Sequence, residues 1–254
     1  MKKILFAIVS LATLFFASCS KNDKVVKMGT NAAFPPFEYT EGNEIVGFDV
    51  TVGNLIARDY GKELKIVDMS FDGLIAALQA GSIDFIAAGM TATEERRKNV
   101  DFSEAYYSSK QVIIVRNDDP SVLTVKDLVG KSIGVQSGTT GEIYATEEVE
   151  KSSVKSFKTG IDASLALKNG AIDTIILDEL PAKEIVLRNP ELKIVDDDFF
   201  TDEYAIAVKK GNTELLNSIN KTIQTMKENG SYQKLLDAFM PVDGQIRVLT
   251  ASDL

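Results

Sequence analysis

Two stretches of this 254-residue chain are nearly the same: ALQAGSIDFI at residues 77–86 and ALKNGAIDTI at residues 166–175, with six of ten positions identical. Each joins the end of an amphipathic helix to a glycine stop, then to an Ile-Asp pair leading an apolar run. A helix that stops on glycine and feeds a buried strand is the helix-to-strand half of a β–α–β unit. Two such joints, 89 residues apart, point to an α/β fold with two lobes of similar build. Two unrelated helix–strand joints would also fit ten residues, so the residues just after each strand carry the weight. Ala88-Gly89-Met90-Thr91 comes after the first and Leu177-Asp178-Glu179 after the second. Ligands of open α/β sheets sit at the carboxyl ends of strands. The two copies would therefore bring two facing loops to one cleft.

The rest of the chain keeps the alternation. Residues 25–29 read as a strand, and Pro35 and Pro36 forbid a helix in the next loop. Asp49 is expected to cap a helix carrying Val52, Leu55 and Ile56, with Gly61 as its stop. Residues 64–67 read as a strand. Asp72 is expected to cap a helix of Leu74, Ile75 and Leu78 that ends at Gly81, before a strand over 83–87. A strand over 131–135 leads into Gln136-Ser137-Gly138-Thr139-Thr140-Gly141, a turn whose backbone N–H groups suit an anion. No Gly-Lys-Ser/Thr comes after it, so it is not a P-loop. Leu216, Ile219, Ile223 and Met226 mark a helix that Asn229-Gly230 ends. Ser231 is expected to cap a last helix of Leu235, Leu236 and Phe239, stopped by Pro241. The tail over 242–254 shows no pattern.

At the start, Lys2 and Lys3 precede an apolar run over residues 4–17. That run is short of the roughly 20 residues a bilayer span needs, and it suits a secretory signal. Phe16-Ala17-Ser18-Cys19 resembles the lipobox of bacterial lipoproteins, with Phe16 where leucine is usual. The resemblance implies a signal peptide over 1–18, an acyl lipid such as palmitate on Cys19, and a polar tether over 19–24. Its implied location is extracytoplasmic, on a bacterial membrane, in the periplasm or at the cell surface. The chain has 28 basic and 37 acidic residues, and its net charge of −9 becomes −11 once Lys2 and Lys3 are gone. That balance argues against nucleic acid. With no histidine and one cysteine, catalytic triads built on Cys or His and zinc sites of Cys and His are excluded. No metal or other cofactor is expected.

Several motifs fall in one order: Gly29-Thr30-Asn31-Ala32-Ala33-Phe34-Pro35-Pro36-Phe37-Glu38-Tyr39, Val46-Gly47-Phe48-Asp49, Phe71-Asp72-Gly73, Ala88-Gly89-Met90-Thr91, Glu94-Glu95-Arg96, Tyr106-Tyr107 and Val135-Gln136-Ser137-Gly138-Thr139-Thr140. Across residues 25–240 this resembles the extracytoplasmic solute-binding proteins of polar amino-acid ABC transporters, family 3, with the type II periplasmic binding fold. The resemblance implies an α/β, two-lobe fold, each lobe a mixed sheet flanked by helices, joined by two hinge strands. Lobe 1 would hold residues 25–107 and 204–254, and lobe 2 residues 108–203. It implies a receptor that closes on an amino acid and hands it to a permease, without catalysis. Two rivals are a dehydratase-type enzyme of the same fold, with Asp178, Glu179 or Glu38 as base, and a ligand-sensing module.

A free amino acid carries a carboxylate and an ammonium, and burying both needs a partner for each. By the resemblance, Arg96 forks the carboxylate, helped by Thr91 and the N–H groups of Gly89, Thr139 and Thr140. Asp178 takes the ammonium, with the Ala88 carbonyl and the Thr91 hydroxyl. Phe34 and Phe71 sandwich the ligand's carbons, and Asn31 and Gln136 meet its side chain. Asp178 also fits a helix cap, and Thr91 a capping box with Glu94. Relatives that prefer basic ligands commonly place Asp where Asn31 stands, so the expected ligand is a neutral polar amino acid, with a basic one open.

Overall fold

The computed structural model describes residues 24–195, 197, 199–240 and 246–254. The signal segment, Cys19, tether residues 19–23 and Pro241 lie outside the described residues.

The first part of the chain runs β1 (Val25–Thr30), β2 (Ala33–Phe34), β3 (Glu38–Glu41), β4 (Glu44–Val46), α1 (Phe48–Asp59), β5 (Glu63–Asp68), α2 (Leu74–Gln79), β6 (Phe85–Ile86), α3 (Glu94–Asn99) and β7 (Val100–Phe102). Then come β8 (Tyr107–Arg116), β9 (Ser132–Gln136), α4 (Thr140–Glu147), β10 (Ser153–Phe157), α5 (Gly160–Lys168), β11 (Thr174–Asp178), α6 (Glu179–Arg188), β12 (Leu192–Val195) and β13 (Thr201–Tyr204). The chain closes with β14 (Ala207–Lys209), α7 (Thr213–Asn229) and α8 (Ser231–Phe239).

Two mixed sheets result. One has the order β5-β1-β6-β14-β7, the other β10-β9-β11-β8-β12. In the first, β1 is parallel to β5 and β6, while β14 is antiparallel to both its neighbours. In the second, β9 is parallel to β10 and β11, and β8 is antiparallel to β11 and β12. The chain leaves the first sheet through β8 and returns through β13, and these two strands pair antiparallel, Tyr107 opposite Tyr204.

The sequence repeat is the same physical joint in each sheet. Gly81 and Gly170 take left-handed φ of 74° and 70°, where a side chain is strained. Ser82 N–H then donates to Ala77 O, and Ala171 N–H to Ala166 O, both at 2.9 Å. The two aspartates dock on the neighbouring parallel strand. Lys27 N–H donates to Asp84 Oδ2 at 2.7 Å, and Ser132 N–H to Asp173 Oδ2 at 2.8 Å. Both aspartates return a backbone bond, Asp84 N to Lys27 O and Asp173 N to Ser132 O, each at 2.8 Å. Ile83 and Ile172 pack where a Cβ on Gly29 or Gly134 would come within 2.3 or 2.4 Å of their Cδ1 atoms.

Several expected caps are corrected. α1 starts from Gly47, and Asp49 sits one residue inside it, fully buried, instead of capping it. Asp72 lies in a 3-10 turn (Phe71–Gly73) that starts from Ser70 with no side-chain cap. Thr93, not Thr91, caps α3 by accepting from Arg96 N. Ser231 is the first helical residue of α8 and its hydroxyl bonds Asn229 Oδ1 at 2.5 Å, so it caps nothing. The strand expected over 83–87 shrinks to β6, because Asp84 is engaged sideways with β1. Part of the unpatterned tail lies on α1 and α8: Thr51 Oγ1 donates to Leu249 O at 2.6 Å, Arg58 Nη1 to Ala251 O at 3.2 Å and Arg247 N to Ala238 O at 2.7 Å.

Candidate ligand-binding site

The loop after β1 is fixed from both sides. Ala32 N–H donates to Asp68 Oδ1 and Asn31 Nδ2 to Met69 O, both at 2.9 Å. The start of α1 then uses this loop as its cap, with Phe48 N bonded to Pro36 O at 3.0 Å and Asp49 N to Phe37 O at 2.9 Å. Two of the orphan donors of the helix start are thus satisfied, and the segment from Phe34 to Glu38 is held at the cleft.

Arg96 comes from α3 and is 8% exposed. Its Nη1 donates to Thr91 O at 2.6 Å and its Nη2 to Gly138 O at 2.8 Å. The guanidinium carbon lies 5.3 Å from the centre of the Phe71 ring, a cation–π distance. Burial lowers its pKa to about 10, against the raising effects of Asp202 and Asp178, so it stays charged at neutral pH.

Asp178 ends β11. It stands at the cap position of α6 but makes no capping bond. Its carboxylate accepts instead from the Tyr204 hydroxyl of β13. Burial raises its pKa to about 6, the Tyr204 bond opposes that, and Asp202 adds to it. Asp202 is itself buried and accepts from Gln111 Nε2 at 2.7 Å and Thr140 Oγ1 at 2.9 Å.

The eleven residues expected as ligand contacts all line one cavity between the sheets: Asn31, Phe34, Phe71, Ala88, Gly89, Thr91, Arg96, Gln136, Thr139, Thr140 and Asp178, with Glu38 as a twelfth. Three expected details change. Gly89 N–H is engaged by Asp49 Oδ2 at 2.9 Å, which removes it as a donor to a ligand carboxylate. Thr139 N–H points to Gln136 O at 3.4 Å. The Asn31 amide is held by Met69 O and by Gln136, whose Nε2 donates to Asn31 Oδ1 at 2.9 Å.

The sequence reading missed a buried acidic pair. Glu38 and Asp49 are 1% and 0% exposed. Asp49 Oδ2 accepts from Gly89 N–H and, at 2.7 Å, from the Tyr106 hydroxyl. The two carboxyl groups lie close enough to interact electrostatically, and each keeps one buried oxygen, Glu38 Oε2 and Asp49 Oδ1, without a hydrogen-bond partner among the described residues. Burial, then Asp49, pushes Glu38 well above the usual carboxyl range; burial likewise lifts Asp49 to about 6. The only sequence hint was Glu38 closing the Pro-Pro-Phe-Glu run; nothing local pairs it with Asp49.

Comparison with known proteins places these features among relatives. The profile of the bacterial extracellular solute-binding proteins, family 3, matches residues 26–242. The chain is similar to the ABC transporter arginine-binding protein 1 of Escherichia coli K12, 33% identical over 95% of this chain and 100% of that protein. It is 36% identical to the arginine-binding extracellular protein ArtP of Bacillus subtilis 168, over 91% of this chain and 92% of that one. A solved structure of an ancestral arginine-binding protein bound to arginine superimposes with a TM-score of 0.80 at 40% identity, covering 85% of this chain and 98% of the other.

Proposed function

We infer a receptor for a cationic amino acid from one premise: this chain belongs to the bacterial extracellular solute-binding proteins, family 3. Such proteins act outside the cytoplasm, bind an amino acid between two lobes and deliver it to an ABC transporter. Their work is binding and release, with no covalent step.

The observation that carries the choice of ligand is the charge inventory of the cavity. Among the described residues, its lining holds one cation, Arg96, and two carboxyl groups, Asp178 and Glu38. A neutral amino acid offers one negative and one positive charge, which answers Arg96 and Asp178 and leaves Glu38 protonated beside Asp49. Arginine or lysine offers one negative and two positive charges and matches all three groups once Glu38 gives up its proton. In this reading Arg96 takes the α-carboxylate, Asp178 the α-ammonium, and Glu38 the side-chain cation, with Phe34 and Phe71 against the aliphatic stem. The names of the arginine-binding relatives support it. The preference for a neutral polar ligand, argued from Asn31, is given up: the acidic group missing at Asn31 is supplied by Glu38. Calorimetric titration of the chain from residue 20 onward with arginine, lysine, glutamine and serine tests this. Arginine or lysine should bind at least tenfold tighter than glutamine; equal affinities, or glutamine first, would overturn it.

Two further assignments belong to this reading. The lobes are taken as residues 25–107 with 204–254, and 108–203, hinged where β8 and β13 meet. Cys19 is taken as the lipid-bearing residue. Cys19→Ser should move the protein from the membrane fraction to the soluble fraction; a variant that loses its signal yet stays with the membrane would disprove the anchor.

A further inference from the structure

We propose that Glu38 and Asp49 together hold one proton, which the side-chain cation of the ligand displaces, so that the receptor exchanges a proton for the ligand's second positive charge. This rests on the cationic-ligand reading of the cavity.

The geometry carries it. Both side chains are at least 99% buried, yet Glu38 lines the ligand cavity. Two neighbouring carboxylates, both ionised and away from water, would repel each other and leave Glu38 Oε2 and Asp49 Oδ1 unsatisfied. One proton between them removes both costs. Hydrogen bonds decide where it resides. Asp49 accepts from Gly89 N–H and from the Tyr106 hydroxyl, bonds that favour its ionised form. Glu38 receives no such donors among the described residues, so Glu38 carries the proton.

The charged neighbours reinforce this. Asp49 on α1, Asp178 at the end of β11 and Asp68 at the end of β5 all disfavour a negative Glu38. Tyr106, beside Asp49, and Tyr204, on Asp178, face the same region with neutral hydroxyls whose own ionisation is pushed well up by burial. Among the described residues Arg96 is the one cation lining the cavity, and its guanidinium is engaged with the Thr91 and Gly138 carbonyls. No fixed cation of the cavity lining therefore neutralises Glu38.

A guanidinium or ammonium arriving at Glu38 reverses the balance. The cation replaces the proton as the group that satisfies Glu38, the O–H bond breaks, and the proton leaves to solvent. The pair goes from one negative charge to two, and the ligand's second positive charge restores the total. The sign of the pH dependence comes from linkage: the free protein binds more protons than the complex, so affinity for a cationic ligand rises with pH, by up to about tenfold per pH unit between the bound-state and free-state pKa of the pair. A neutral isostere has no such term from Glu38.

Titration calorimetry of wild-type protein at neutral pH, in phosphate and in Tris, reads the proton count from the dependence of enthalpy on buffer ionisation. Arginine is compared with citrulline, which has the same length and no side-chain charge. Asp178 meets the α-ammonium of both, so its contribution cancels. Arginine should release about one proton more than citrulline, and Glu38→Gln should abolish that difference. Equal proton release by the two ligands in the wild-type protein would overturn the exchange while leaving a cationic-amino-acid receptor intact. Failure of arginine to bind where citrulline or glutamine binds would overturn the receptor reading and the exchange with it. The wild-type comparison decides the matter even if Glu38→Gln does not fold.

Discussion

Arg96→Ala and Asp178→Ala will each weaken amino-acid binding by roughly 30-fold to several thousand-fold, since truncating one partner of a buried charge pair costs about 2–5 kcal/mol or more and about 1.4 kcal/mol is tenfold. The two residues reach the cavity from different sheets, Arg96 from α3 beside β7 and Asp178 from the end of β11. Neither substitution should prevent folding, because neither side chain belongs to an apolar core cluster. Arg97→Ala is the control. It sits about 100° further around the helix and is exposed, with its guanidinium carbon 5.4 Å from the centre of the Phe102 ring. Its affinity should stay within about twofold of wild type. Calorimetry on the three variants checks this; similar small losses at all three would mean that the proposed zwitterion clamp is wrong.

Gly47→Ala should be the most damaging single-methyl change in the first lobe. Gly47 has φ of 133°, and a Cβ there would lie 2.2 Å from Phe37 O, 2.6 Å from Phe37 C and 2.9 Å from Pro36 O. Those atoms are backbone and cannot rotate away. The same two carbonyls accept the first N–H groups of α1, so relief of the clash breaks a helix cap and moves the loop carrying Phe34 and Glu38. Backbone strain of this kind costs about 1–3 kcal/mol, and the clash adds to it. We expect a loss of about 3 kcal/mol or more, seen as a fall in melting temperature of roughly 6–12 °C, together with weaker ligand binding. Gly42→Ala provides the comparison: φ is 62° and nothing lies within 4 Å of the new methyl, so only the left-handed strain of about 1–2 kcal/mol applies. Equal melting temperatures for the two variants would refute the steric argument.

Much of the architecture was legible because it is written in local signals. The helix-stopping glycines, the apolar strand after each Ile-Asp pair and the helix ended by Gly230 are properties of a few neighbouring residues. The cavity lining was legible through motif order, which the resemblance supplied. What escaped depends on partners distant in sequence. Asp49 looks like a cap because it precedes an apolar periodic run. The cap is instead provided by backbone carbonyls of the Pro36–Phe37 loop, which frees the carboxylate to meet Gly89 and Tyr106, 40 and 57 residues away. Thr91 and Thr93 are equally good caps by composition. Thr91 is taken out of contention by its bridge to Tyr204. Glu38 gave no local sign of its partner, since a strand-edge glutamate is ordinarily solvated.

The twin joints at Asp84 and Asp173 give the molecule an internal control. Each aspartate accepts from the neighbouring parallel strand, β1 or β9, at nearly the same distance, 2.7 and 2.8 Å, beside an isoleucine pressed against a glycine of that strand. Asp84→Ala and Asp173→Ala therefore delete matched interactions in two different halves of one polypeptide. If the halves unfold as a single cooperative unit, both lesions will shift the same transition by similar amounts. If each half melts on its own, each lesion will move a separate transition, and the difference between the two curves measures directly how much free energy passes across the hinge.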